Sequence, residues 1–238
     1  MSSYFSRAYF DLVYNQVYDL TTARLRAYHE LQTLCINKLS LKENDRVLCV
    51  GLGTGNEIIQ LFQNEPSLRI TGVDVSSRAL KKAHRKALSI SKKIEVCLMD
   101  THNLRFDSQS FDEVVCLHVM DFVVDRDQVI SELLRVLRNG GQFLVTYPSE
   151  KESAALGIKL LKDQVKSLRT LGMNWAQISA SLTLQFVAGT LCLPVLFRPS
   201  KKVSGSDELH GMFTAFGVKE FSIESFPLYY DLIVYGEK

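Results

Sequence analysis

The amino-acid sequence predicts an α/β domain: a mostly parallel sheet with helices on both faces, closed by an antiparallel terminal hairpin. Three observations carry that prediction. Between residues 41 and 148, short apolar runs alternate with helical stretches, the pattern of strands joined by crossover helices. The first run, Val47-Leu-Cys-Val50, leads straight into Gly51-Leu-Gly-Thr-Gly55 and a helical stretch, as in strand–turn–helix units that wall a ligand pocket. The last two runs, Phe221–Phe226 and Tyr229–Tyr235, are separated only by a short turn at Pro227. That spacing leaves no room for a crossover helix, so the pair should run antiparallel.

Taken in order, residues 1–40 read as a helical cap rich in aromatic rings, with Tyr14 and Tyr18 on one helix face at i, i+4 spacing. Residues 41–148 form the core, with strands expected at 46–50, 69–73, 94–98, 113–117 and 142–147 and helices at 56–63, 77–91 and 126–137. Asn139-Gly140-Gly141 is expected to end the last of these helices, since glycine accepts the left-handed conformation that follows a helix. Residues 149–205 read as a helical lid insert, and 206–238 as a terminal helix and hairpin. The whole reads as one domain of 238 residues.

Composition narrows the function. A formal net charge of +2 gives no electrostatic argument for nucleic acid. The basic stretch Arg78, Lys81, Lys82, Arg85 and Lys86 lacks interleaved aromatic rings and reads as a solvated helix face. Cys35, Cys49, Cys97, Cys116 and Cys192 show no Cys-x-x-Cys pair and no histidine at zinc spacing, so buried thiols are expected. Asp121, Asp125 and Asp127 suit the start of a helix better than a metal site, and no metal is expected. The N-terminus lacks a basic-then-apolar export signal, which makes the cytoplasm the expected compartment.

The chemistry concentrates after the first two strands. Backbone N–H groups of the Gly51–Gly55 turn, beside a helix N-terminus, can face an anion such as a carboxylate. Asp74 ends the second strand, where its carboxylate can accept both hydroxyls of a ribose in charge-assisted bonds. A nicotinamide-dependent oxidoreductase uses the same kind of glycine turn, so these two features alone leave the ligand open.

Further motifs fall in a telling order. Val73-Asp-Val-Ser76 follows the glycine turn; then come Met99-Asp-Thr-His-Asn-Leu-Arg-Phe106, Ser110-Phe-Asp-Glu-Val-Val115 and Leu133-Leu-Arg-Val-Leu-Arg-Asn-Gly-Gly141. In this order they resemble the class I S-adenosylmethionine-dependent methyltransferases, and the segment from Phe10 to Asp19 is similar to the leading helix of the quinone- and sterol-methylating group. The resemblance implies a Rossmann-like seven-stranded sheet with one antiparallel strand near its edge. It implies S-adenosyl-L-methionine as cofactor, held by Tyr18, Gly51, Gly53, Gly55, Asp74, Val75, Asp100 and Thr101, with Asp100 accepting from the adenine amine. The family often has an acidic residue where this chain has Cys49, which removes one expected contact to the methionine end.

A methyl sulfonium needs mainly an aligned nucleophile and a proton acceptor. His118, just past the fourth strand, is the first candidate base, because an imidazole titrates near neutrality; Asp121 and Tyr147 are the others. The tetrapeptide expected of adenine- or glutamine-methylating enzymes and the Pro-Cys nucleophile of cytosine C5 enzymes are both missing from the sequence. From Thr170 to Phe197 no residue is charged, and polar residues with Gly189 and Pro194 interrupt the run against a membrane span. This segment reads as a lid over an apolar acceptor, with Tyr14, Phe186 and Leu193 as candidate substrate contacts. Its basic flank, Lys159, Lys162, Lys166 and Arg169, fits peripheral contact with a membrane. The expected activity is methyl transfer to O or N of a small apolar or aromatic molecule. Carbon methylation of a quinone or sterol-like lipid and a catalytically silent cofactor-binding interaction protein are the alternatives.

Overall fold

Both faces of the central strands are apolar, and this dictates the layering. In β1 (Arg46–Val50), Val47 and Cys49 point into one hydrophobic cluster while Leu48 and Val50 point into another, because successive side chains alternate across a sheet. A strand buried on both faces belongs in the interior of a helix-covered sheet. The computed structural model describes residue 11 and residues 15–22, 25–149, 154–196, 205–226 and 231–238.

Seven strands form one sheet in the order β3-β2-β1-β4-β5-β7-β6. With β1 they are β2 (Arg69–Asp74), β3 (Glu95–Leu98), β4 (Phe111–Cys116), β5 (Leu137–Pro148), β6 (Glu220–Phe226) and β7 (Asp231–Glu237). The first five pair in parallel, and β7 runs antiparallel to both β5 and β6. The expected hairpin is therefore present, although its second strand starts at Asp231 and residues 227–230 lie outside the described residues.

The helices, in chain order, are α1 (Asn15–Thr22), α2 (Arg26–Ile36), α3 (Ile58–Asn64), α4 (Ser77–Ser89), α5 (Arg126–Val136), α6 (Ala154–Thr170), α7 (Trp175–Leu196) and α8 (Ser206–Ala215). Side chains of α2, α3 and α4, among them Leu31, Ile58, Leu61 and Leu80, share the cluster of Val47 and Cys49. Those of α5 and α8, including Ile130, Leu133, Leu209 and Phe213, share the cluster of Leu48 and Val50. Two starts are capped as their sequences require: Ser76 accepts from the Ala79 N–H at 3.1 Å, and Asp125 accepts from the Gln128 N–H at 2.9 Å.

One expectation is corrected. The glycine pair does not end α5; the helix stops at Val136, and Leu137 is already extended and paired with Phe111. The glycines instead form a bulge, where the pairing jumps from Phe111↔Leu137 to Glu113↔Gln142. Gly140 has φ +68°, and a Cβ on Gly141 would lie 2.6 Å from the Asp112 carbonyl oxygen. Burial of Leu137 in the core ends the helix earlier than any cap would.

Candidate active site

At the carboxyl edge of β1 the chain turns three times through the left-handed region, with φ of +67° at Gly51, +56° at Gly53 and +73° at Gly55. Each position favours glycine for that reason. They differ in what surrounds them. A Cβ on Gly51 would lie 2.2 Å from Val119 Cγ2, and one on Gly55 would lie 2.4 Å from Ile58 Cδ1. At Gly53 the nearest atom would be the Gly51 carbonyl oxygen at 3.8 Å. Gly53 is thus the rim of the turn that faces open space, a cradle where another molecule's backbone-sized group fits. This satisfies what an S-adenosylmethionine site needs of the turn.

Asp74 ties this turn to the next one. Its Oδ2 accepts from the Gly53 N–H at 2.9 Å, and its Oδ1 accepts from the Ser76 N–H at 2.8 Å. Burial pushes its pKa above the ordinary carboxylate value, while these N–H donors pull the other way. The Val75 N–H also pulls on this carboxylate, and with about four lone-pair sites it keeps acceptor capacity for a ribose hydroxyl. Val75, half-buried, follows it. On the neighbouring strand end, Asp100 Oδ1 accepts from the His102 N–H at 3.0 Å and lies 2.8 Å from His102 Nδ1. The Asp125 N–H points at His102 Nε2 at 3.3 Å, which places the ring proton on Nδ1. Thr101 beside it is buried. From α5, Glu132 accepts from the Leu104 N–H at 2.7 Å, and Arg135 donates to the Leu104 and Phe106 carbonyls. The acidic loop is therefore clamped to α5.

The leading segment reaches both turns. Thr54 Oγ1 donates to Asp19 Oδ1 of α1 at 2.6 Å, and Ser76 Oγ donates to Asp11 Oδ1 at 2.5 Å. Lys86 Nζ lies 3.6 Å from the same Asp19 oxygen and also donates to Asn56 Oδ1. Tyr18 is in α1, with its side chain outside the description. Tyr14 lies outside the described residues altogether.

His118 stands just past β4 in the left-handed region, with φ +56°, a conformation that is strained for a side chain of this size. Three groups hold it there. Its backbone N–H donates to Thr146 Oγ1 at 2.8 Å, its Nδ1 lies 3.3 Å from Asp231 Oδ2, and its ring stacks on Tyr28 at 5.3 Å. The Tyr28 hydroxyl accepts in turn from Gln32 Nε2 at 2.8 Å and Asn56 Nδ2 at 3.2 Å. Behind the glycine turn, Glu57 is buried, and burial pushes its carboxyl up to about 7 against the pull of Lys86 and His118. The thiols of Cys49 and Cys116 are buried beside it and are likewise pushed up by burial.

Two further candidates change standing. Tyr147 is wholly buried, edge-on to Phe213, with its hydroxyl 3.8 Å from Met212 Sδ. Burial raises its pKa far above the ordinary phenol value, so it is a core ring and no base. Phe186 is 74% exposed on α7, which puts it on an outer surface instead of an enclosed wall. Asp121 is half-buried in the turn after β4. Leu193 is within α7, its side chain outside the description. Sequence reasoning passed over Asp19, Glu57, Glu132 and Asp231. A lone acid opening the apolar run Asp231-Leu-Ile-Val234 was the readable signal for the last of these.

Comparison with known proteins agrees with this geometry. A methyltransferase-domain family model matches residues 48–145. The chain is 26% identical over 163 residues to YrhH of Bacillus subtilis (strain 168), which carries a methyltransferase designation; the match covers 67% of this chain and 86% of that one. It is 30% identical over 113 residues to the ubiquinone/menaquinone biosynthesis C-methyltransferase UbiE of Geotalea daltonii, covering 46% of this chain and only about half (48%) of the relative. Magnesium protoporphyrin IX methyltransferase of Synechocystis PCC 6803, solved with bound SAH, superposes with a TM-score of 0.66 at 16% identity, covering 98% of this chain and 97% of that one, and so shares its fold. The ordered motifs, the sheet order and these matches agree: residues 48–145 match a methyltransferase domain set in a sheet shared with S-adenosylmethionine-dependent methyltransferases.

Proposed function

We propose that this methyltransferase moves a methyl group to an oxygen or nitrogen of a small, largely apolar or aromatic acceptor, with His118 taking the acceptor's proton. The observation that carries the reading is the His118–Asp231 pair at the carboxyl edge of the sheet. A carboxylate beside Nδ1 fixes the ring and stabilises the imidazolium that forms when the ring accepts a proton. S-adenosylmethionine, when bound, supplies an electrophilic methyl group that needs no further activation. The Gly51–Gly55 turn would lie against its methionine end, Asp74 and Val75 would hold its ribose, and Asp100 and Thr101 its adenine. His118 stands just past β4, the strand that pairs with β1 beside the glycine turn. Tyr18 would lie in the cap over the cofactor, and Asp121 is a second proton acceptor on the turn after β4.

Carbon methylation of a quinone or sterol-like lipid is a second reading, favoured by the similarity to a quinone C-methyltransferase. Incubation of the purified chain with S-adenosylmethionine and a panel of phenols, aromatic amines, quinones and sterols, followed by mass spectrometry of the product, separates the two. O- or N-methylated product from an apolar acceptor supports the proposal. Turnover confined to ring carbons, or to polar acceptors, overturns it, and cofactor binding without any turnover points to a silent binding protein.

A further inference from the structure

The α6–α7 hairpin is built unlike the rest of the surface. Helix α7 has 22 residues, none of them charged. Its inner side is anchored: Ile178 and Ser181 are buried, and α7 packs on α1. The outer side leaves Trp175, Phe186 and Val187 each more than half exposed, and Leu161 and Leu171 stand equally bare on the adjoining α6 and its end. Soluble surfaces seldom gather large apolar side chains in this way without a use for them. Along α6, Lys162, Lys166 and Arg169 are exposed at helical i, i+4, i+7 spacing. The helix has one acid, Asp163, which is half-buried and turned to Arg26 at 3.6 Å. Basic and aromatic groups meet where the Arg169 guanidinium lies 4.9 Å over the Trp175 ring.

We propose that this hairpin docks on an anionic lipid surface, with the outer face of α7 entering the headgroup region and the α6 cations resting on the lipid phosphates. The chemistry selects that occupant. Exposed rings and aliphatic chains gain by leaving water for the acyl boundary, while lysine and arginine stems extend to the phosphates. A nucleic acid would reward the cations and leave the apolar side chains in water. A second copy of the chain would bring like charges together. No helix among the described residues is long and apolar enough to cross a membrane, so the contact is peripheral. This proposal deepens the reading of an apolar acceptor by placing that acceptor in lipid, but docking itself is measured without turnover.

Trp175 is the chain's only tryptophan, so its fluorescence reports on this face alone. The full chain is mixed with vesicles of phosphatidylcholine, or of phosphatidylcholine with one-third phosphatidylglycerol, and followed by flotation and by Trp175 emission. Expected are co-flotation and a blue shift with the anionic vesicles, reversed by salt, and quenching by brominated acyl chains. Each juxtamembrane cation contributes about a fivefold change in partitioning, so Lys162→Gln/Lys166→Gln/Arg169→Gln should weaken it about a hundredfold. Unchanged calorimetric affinity for S-adenosylmethionine would show that the variant is folded. Phe186→Ser should reduce the blue shift with the cations intact. An unshifted Trp175 spectrum with anionic vesicles, undiminished flotation of the triple variant, equal binding to a duplex oligonucleotide, or burial of Trp175 by self-association in the absence of lipid would each overturn the proposal.

Discussion

Nδ1 of His118 lies 3.3 Å from Oδ2 of Asp231, joining the end of β4 to the first residue of β7. The contact exists because β7 returns antiparallel beside β5, which sets its first residue level with Pro148, at the same edge as the end of β4. An antiparallel strand thus lends a carboxylate to a site otherwise built by parallel ones.

Asp231→Asn should lower the rate of methyl transfer while leaving S-adenosylmethionine affinity nearly unchanged. His118→Asn should cost about 100-fold or more in kcat, the usual contribution of a positioned base. Steady-state kinetics with calorimetry on the same preparations checks both. Parallel loss of cofactor affinity would show that the pair holds the pocket together instead.

Asp74→Ala should weaken cofactor binding by about 1.5–3 kcal/mol, since charge-assisted bonds to the ribose are lost. It also strands the N–H groups of Gly53 and Ser76, which now donate to this carboxylate. Some fall in Tm should therefore accompany the loss of affinity. Calorimetry alongside thermal denaturation measures the two separately.

The three glycines should part company on substitution. Gly53→Ala adds only the left-handed strain of about 1–2 kcal/mol, because nothing lies closer than 3.8 Å to its Cβ. Gly55→Ala adds collisions with Ile58 and Ala83, costing about 1–3 kcal/mol more. We expect Gly53→Ala to fold and bind S-adenosylmethionine poorly, and Gly55→Ala to lose stability first. Urea melts of both variants, followed by titration of the folded ones, test the ranking.

Glu113 gives a pH dependence. Its side chain is 2% exposed, and Oε2 has no hydrogen-bond partner among the described residues. Burial, with Asp45 and Asp112 adding to it, pushes the carboxyl up to about 8 from its ordinary 4.5, against the opposing pull of Arg138 and Lys42. A raised folded-state pKa means its contribution is fully present below about pH 4.5 and lost as pH rises toward 8. Glu113→Gln should match the parent near pH 4.5 and exceed it above pH 8 by on the order of a few kcal/mol. Glu57, pushed up to about 7, should leave a residual slope in the variant over the lower part of that window. Denaturant titrations at a series of pH values would show it.

Much of the fold was readable because each strand of the core announces itself locally. The runs at Val47–Val50 and Val114–Cys116 are apolar on both faces, and Ser76 and Asp125 cap the helices that follow β2 and precede β5. The glycine turn and Asp74 were equally plain, since positive φ and an acid at a strand end leave their mark on residue type. What stayed hidden depends on contacts between distant positions. Tyr147 sits in an apolar strand pattern that says "buried" but not which face, and its hydroxyl turned out to lie under α8. The partnership of Asp231 with His118 needs the register of β7, which a single strand's pattern does not contain. Leu137 left its helix early because pairing with Phe111 outweighed local propensity.

The thiols of Cys49 and Cys116 lie within the sheet directly below the glycine turn, and burial holds both in the protonated form. Only a thiolate is alkylated at a useful rate, so the native floor of the site is chemically silent. Label enters only when the helices that cover the two faces lift from β1 and β4. The rate of modification then becomes a clock for rare openings of the cofactor platform, and a bound ligand slows that clock in proportion to how tightly it holds the closed form.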